Sequence, residues 1–185
     1  MHLCYNGAMA NKQGGWSVNE YHTQGDTTMI EVSRKGIGYV GTILVDTLYK
    51  ENLSKYRWRI TTDGYVAAKV DGVDTHIHRL LLPSSSNVDH INRNTLDNRL
   101  SNLRPATKRE NAGNMFRNKQ NTSGYKGICF NKRNKNWIAQ IKLNYKAIWL
   151  GAYQTKEEAA LAYDIAAIQI FGDFALLNII GVKNV

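Results

Sequence analysis

Cysteine is scarce. The 185 residues hold two, Cys4 and Cys129, far apart and in no Cys-x-x-Cys pair. That excludes a structural zinc site built on thiolates and fits a reducing compartment. Long apolar runs are missing too: none reaches the roughly eighteen residues of a membrane-spanning helix, so no membrane partner is expected. The opening stretch MHLCYNGAMANKQGGW has no basic start followed by a continuous apolar segment, so no signal peptide is expected. Acidic residues nearly vanish from the middle of the chain. Between His76 and Leu150, Asp89, Asp97 and Glu110 stand against fourteen Lys and Arg, a local excess of +11 in a chain whose net charge is +9. The remainder carries ten basic and twelve acidic residues. A basic segment of this kind calls for a polyanionic partner, and nucleic acid is the commonest one.

Residues 1–28 are rich in Gly, Asn and Thr without apolar periodicity and read as a poorly ordered tail, with Trp16 and Tyr21 able to dock. From Met29 the pattern changes to short strands with a glycine turn at Gly36–Gly38. Asp46 is placed to cap a helix through TLYKENLSKY. The run RWRITTDGYVAAKVDGVDTHIHRLLL reads as strands joined at Asp63-Gly64 and Asp71-Gly72, both hairpin signals. Residues 117–123 form a polar, basic, turn-rich linker. Beyond it come three strands, Tyr125–Phe130, Asn136–Leu143 and Lys146–Gly151. A helix follows, capped by Thr155 with Glu158 three residues on. It stops at Gly172, and its alanines allow close approach to a sheet.

The segment VDHINRNTLDNRLSNLRPATKREN (Val88–Asn111) concentrates five asparagines around one Asp-His pair. Hydrolysing a phosphodiester needs a base to activate water, a cation on the scissile phosphate and a scaffold that fixes both. Magnesium takes oxygen ligands and keeps several waters, so one carboxylate and one amide oxygen from the protein suffice. Histidine is the usual neutral-pH base. NVDHI reads as a strand end carrying Asp89 and His90, LRPAT as the returning strand. Thr107 then caps a helix with Glu110 as its capping-box partner, which puts Asn111 early in that helix. Asn92, Asn94 and Asn98 read as turn formers. His78 and Arg79 either reach a phosphate or sit at the edge of the core.

His90, Asn102 and Asn111, with HRLLL, VDHINRN, DNRLSNLR and KREN in the same order, resemble the HNH homing endonucleases of phages and introns over roughly His76–Asn114. The resemblance implies that Asp89 and Asn111 ligate one Mg2+ or Mn2+ per active site. It implies that His90 is the general base and that Asn102 braces the loop holding His90. The cut would leave a 5′-phosphate and a 3′-hydroxyl. With one site per chain, a monomer would nick double-stranded DNA, and a double-strand break would need a dimer or a second event; the chain is expected to be a monomer or weak dimer. The setting would be the cytoplasm of a bacterial or phage-infected cell.

Strand alternation in NWIAQIKL sends Trp137, Ala139, Ile141 and Leu143 toward the helix and Gln140 and Lys142 outward. In KAIWLG it sends Ile148 and Leu150 inward and Ala147 and Trp149 outward. A sheet presenting Lys, Gln and Trp suits a major groove. YKG, WIAQI, WLGAYQTKEEAALAYD, the FG that closes the helix and the following LN resemble the ethylene-response-factor type DNA-binding domain of the apetala family, over about Ser123–Asn178. By position the likeness assigns Lys126, Gly127, Gln140, Lys142, Trp149 and Tyr163 to DNA. Lys132, Arg133 and Lys135 in the first turn would compensate for family arginines replaced here by Cys129, Asn131 and Ala147. Arg104 is added as a basic candidate.

The sequence thus predicts an α+β protein. A small N-terminal αβ segment and a ββα-metal HNH nuclease core fill residues 29–116. A linker occupies 117–123, and a three-stranded antiparallel sheet packed on one helix fills 124–179. The expected activity is that of a metal-dependent DNA endonuclease. The alternatives are a DNA-binding transcriptional regulator with an inactive HNH module and an RNA-binding protein.

Overall fold

The structure, a computed structural model, describes residues 18–115 and 120–179. It is α+β, with four small sheets, several short helices and one longer helix. Its contacts divide the chain into two units, residues 1–83 with 94–103, and 84–93 with 104–185. The expected tail at 1–28 and linker at 117–123 fall partly outside the described residues, as do Cys4 and Trp16.

In the first unit, β1 (Glu20–Gln24), β2 (Thr27–Arg34) and β3 (Gly38–Asp46) form an antiparallel meander. Residues 20–28 are therefore sheet rather than tail. Backbone pairing with β2 orders a segment whose side chains are mostly polar and exposed. Alternation on β2 and β3 buries Ile30, Val32, Ile43 and Val45 completely. Burial of each such side chain is worth about 1.5–3 kcal/mol. Tyr21 docks through its hydroxyl, which donates to the Leu53 carbonyl at 3.2 Å; burial pushes its phenol up to about 12. Asn19 closes the same corner. Its side chain accepts from the Trp58 amide at 2.7 Å and donates to the Trp58 and Glu31 carbonyls.

The helix expected after Asp46 shrinks to a 3-10 turn and one α-turn, α1 (Lys50–Leu53). Asp46 does not cap it; its carboxylate instead accepts from the Leu100 amide at 2.7 Å. β4 (Arg59–Ile60), β5 (Val66–Val70) and β6 (Val73–His76) form the second sheet. Asp71 and Gly72 turn β5 into β6 with φ of 48° and 81°, as the hairpin signal predicts. The next residues are not strand but helix, α2 (Ile77–Leu81).

The asparagine-rich loop 94–103 completes this unit along β3. The Leu44 amide donates to the Leu96 carbonyl, and the Asn98 amide to the Leu44 carbonyl. Asn98 is fully buried rather than an exposed turn residue. Asp97, 2 % exposed, takes a two-pronged bond from Arg99 at 2.8 and 2.7 Å. That bond raises the guanidinium pKa further.

The second unit begins with β7 (Val88–His90), β8 (Leu103–Pro105) and α3 (Lys108–Asn114). The predicted capping box is present. The Thr107 hydroxyl accepts from the Glu110 amide, and Glu110 accepts from the Thr107 amide at 2.6 Å. The second bond holds the Glu110 carboxyl below its usual range. β9 (Ile128–Asn131), β10 (Asn136–Leu143) and β11 (Lys146–Tyr153) then form an antiparallel sheet, and α4 (Lys156–Phe171) covers one face. Ile128, Ala139 and Ile141 meet Ala159, Ala160, Tyr163, Ala167 and Phe171 there. The Asp164 carboxylate, fully buried below them, is held by the amides of Asn178 and Ile179 at 2.7 Å each. Asn178 in turn clasps the backbone of Lys126 from both sides.

The helix start also follows the sequence: Thr155 and Glu158 form a second capping box. Thr155→Ala removes one of its two bonds and is expected to cost about 1 kcal/mol. A urea titration that shifts the midpoint without changing the slope checks this.

Candidate active site and nucleic-acid interface

Asp89 and His90 lie on β7, where all three residues are buried, Asp89 to 8 % and His90 to 5 % exposure. A carboxylate so buried needs compensating donors. It has two. Arg104, on β8, reaches Asp89 Oδ2 with Nε at 2.9 Å and Nη2 at 2.7 Å. Asn114, in the last turn of α3, donates Nδ2 at 3.0 Å to both carboxylate oxygens and to the His90 carbonyl. The same carbonyl accepts from the Arg93 amide at 2.8 Å, which closes the turn after the strand.

Asn111 stands one helical turn before Asn114. Its side-chain oxygen is buried and has no hydrogen-bond partner. An unsatisfied buried acceptor costs free energy, and an oxygen left in that state suits a hard cation. A carboxylate and an amide oxygen are the ligand types that magnesium or manganese takes. Asn102 belongs to the first unit, where its side chain donates to the Asp97 carbonyl at 2.7 Å and so braces loop 94–103. His78 is also in the first unit. It packs against the rings of Tyr65 and His76 at 5.8 and 5.3 Å, on the core side of the two readings left open for it.

Two matches fall on the chain in order: the HNH endonuclease family over residues 82–113 and the AP2 domain over 123–173. An HNH endonuclease of Acanthamoeba polyphaga mimivirus, described as uncharacterized, is 34% identical over 134 residues, 68% of each chain. The chain belongs to the HNH endonuclease family. Protein 3.8 of Escherichia phage T7 is 43% identical over 60 residues, 32% of this chain and 50% of that protein. An ethylene-responsive transcription factor of Arabidopsis thaliana is 41% identical over 56 residues, 29% of this chain and 30% of that protein. This HNH family member thus spans half or less of those two relatives. No solved structure matches it.

In this HNH endonuclease family member the face of the AP2-type sheet away from α4 presents Gln140, Lys142 and Trp149, all exposed, with Trp149 at 68 %. Trp149 pairs with Gln140 and Ala147 with Lys142, so the four side chains share that face, and the register shifts only beyond them, at Leu150. Leu150 packs against the core, whereas Ile148, opposite Ile141, stays 39 % exposed. Lys132 and Arg133 are exposed in the turn between β9 and β10.

Four residues assigned to DNA by sequence hold structural positions. Tyr163 is 3 % exposed, in the core, and burial raises its phenol pKa. Gly127, at φ 78°, lies against it: an added Cβ would come within 2.3 Å of the Tyr163 ring and 2.5 Å of the Gln140 carbonyl. Lys126 donates to the Gly113 and Ala112 carbonyls at 2.6 and 3.4 Å, at the end of α3. Burial, and then the charge of Arg93, lower its pKa to about 8. Burying the charged lysine therefore opposes folding below that value, and this penalty is relieved as pH rises toward the ordinary 10.5, because there the unfolded chain binds the proton and the folded chain does not. Arg104, the fourth, is committed to Asp89.

Asn114 and Phe174, beneath Arg104, were missed. Asn114 had a signal: it lies three residues after Asn111 and so shares its helix face. Phe174 had none, since nothing local ties it to β8.

Proposed function

We propose that this protein is a metal-dependent DNA endonuclease whose AP2-type sheet chooses where it cuts. The observation that carries the reading is the buried Asp89 carboxylate together with the unpartnered Asn111 side-chain oxygen, in a chain of the HNH endonuclease family. Asp89 and Asn111 are the residues that would hold one Mg2+ or Mn2+. Such an ion supplies charge for the scissile phosphate and its departing oxygen. His90 accepts the proton of the attacking water. Asn102 keeps loop 94–103 in shape, and Asn114 fixes the end of β7 through the His90 carbonyl. The products are a 5′-phosphate and a 3′-hydroxyl, and one site per chain nicks rather than breaks the duplex. The protein is expected to work as a monomer or weak dimer in the cytoplasm of a bacterial or phage-infected cell.

Gln140, Lys142, Trp149, Lys132 and Arg133 form the contact surface for the duplex. Trp149→Ala is expected to weaken duplex binding without changing the melting temperature, because the ring lies outside the core. Lys142→Ala is expected to weaken binding to all sequences and to lower the salt slope by about one. Fluorescence anisotropy from low to moderate salt reads both.

One observation favours a second reading, a DNA-binding regulator with a silent nuclease module: Arg104 and Asn114 already occupy both oxygens of Asp89. Supercoiled plasmid incubated with the protein and Mg2+ separates the two. Open circles made by the wild type and not by Asp89→Asn support the endonuclease. Duplex binding with no open circles supports the regulator.

A further inference from the structure

The guanidinium that grips Asp89 is itself held by the AP2-type domain. Arg104 Nη1 donates to the Asp173 carbonyl at 3.1 Å, and its central carbon lies 3.6 Å above the Phe174 ring. Asp173 and Phe174 belong to the 3-10 turn directly after α4. The residues on either side of that turn are fastened to α3 by two further bonds. The Leu176 amide donates to the Gly113 carbonyl at 3.0 Å, and Arg109 donates to the Ile170 carbonyl at 3.1 Å. Gly113 leaves no room for a side chain, since an added Cβ would meet Phe171 at 2.7 Å and the Phe174 carbonyl at 2.8 Å.

Asp89 Oδ2 therefore has a fixed cation on it. A divalent ion on that carboxylate and a guanidinium at 2.7 Å repel each other across a poorly screened, buried space. The two compete, and whatever holds Arg104 in place weakens the metal. A ring stacked on a guanidinium adds to that hold.

Resting on the reading above, we propose that Arg104 is a positioning residue that sets the metal affinity of the HNH site, and that Phe174 of the AP2-type domain holds it there. The DNA-binding domain is then part of the metal site's control, besides choosing the target.

The test is Mn2+ binding to the full chain without DNA, read from the electron paramagnetic resonance of free Mn2+. Arg104→Met keeps the length and removes the charge; it is expected to tighten binding about tenfold, a typical coupling between sites. Phe174→Leu is expected to tighten it about threefold, the low end of what one cation–π contact is worth. Arg104→Lys, which restores a cation, is expected to return affinity toward the wild type. Arg104→Gln replaces the Met variant if that one does not fold. Unchanged or weaker binding in the Arg104 variants overturns the proposal. So does tighter binding with Arg104→Met and wild-type binding with Phe174→Leu. Asp89→Asn separates failure of the metal reading: if it binds Mn2+ as well as the wild type, the ion is not at this site at all.

Discussion

His90→Ala is expected to lower the rate of plasmid nicking by about 10³-fold, within the range that general acid–base catalysis supplies. The expectation follows from the position of the residue. His90 ends β7 beside Asp89, and its backbone carbonyl is fixed by both Asn114 and the Arg93 amide. Those two bonds use the main chain, so the Ala variant retains the fold of the strand end and loses only the imidazole. The AP2-type sheet is untouched, so duplex binding stays at the wild-type level. The two readouts together separate a lost base from a lost fold. A drop in nicking matched by an equal drop in binding would assign His90 to architecture.

Gly127→Ala is expected to destabilise the protein by about 3 kcal/mol, the combined scale of overpacking and of a left-handed backbone at a residue with a side chain. Both costs are present. The φ of 78° is one that glycine alone adopts without strain. The new methyl would press on the Tyr163 ring, which is buried, and on the Gln140 carbonyl, which is backbone; neither can yield far. Tyr163 is wedged into the sheet-to-α4 core, and the Gln140 amide bonds the Gly127 carbonyl at 2.9 Å. The loss should appear as a lower melting temperature together with weaker duplex binding, because the sheet that carries Gln140 and Trp149 is the part loosened. A variant that binds DNA poorly but melts as the wild type would return Gly127 to the contact surface where sequence placed it.

Local chemistry was legible in the sequence. Both capping boxes are signals four residues long, and both helices start where those signals put them. β10 has the predicted bounds, and its alternation is clear from Ala139 to Lys142. What failed was non-local or too short. IHRLL is one helical turn and a half, too brief for a helical period to show, and its apolar run read as strand. The strand at Glu20–Gln24 is almost all polar, and pairing with β2 alone defines it. Tyr163 was misplaced although its spacing was informative. It lies four residues from both Ala159 and Ala167, the stripe of a buried helix face.

The site divides in the same way. Asp89, His90, Asn102 and Asn111 stand out as residue types at a family's spacing, and two of them, Asp89 and His90, share a buried strand. The grip on Asp89 could not be read locally. Arg104 is fifteen residues away from it, and the turn that holds Arg104 is a further 69 along. Asn98 shows the same limit within the loop: turn chemistry describes its neighbours, but a backbone bond to Leu44 is what buries it.

This chain is expected to hydrolyse DNA at its HNH site. The most direct measurement follows supercoiled plasmid converted to open circles by the wild-type protein in Mg2+ and again with the metal chelated, with the products then offered to DNA ligase. The expected result is open circles in Mg2+, none after chelation, and resealing by ligase, which requires a 5′-phosphate beside a 3′-hydroxyl. Conversion that persists in chelator, or open circles that ligase cannot seal, contradicts it.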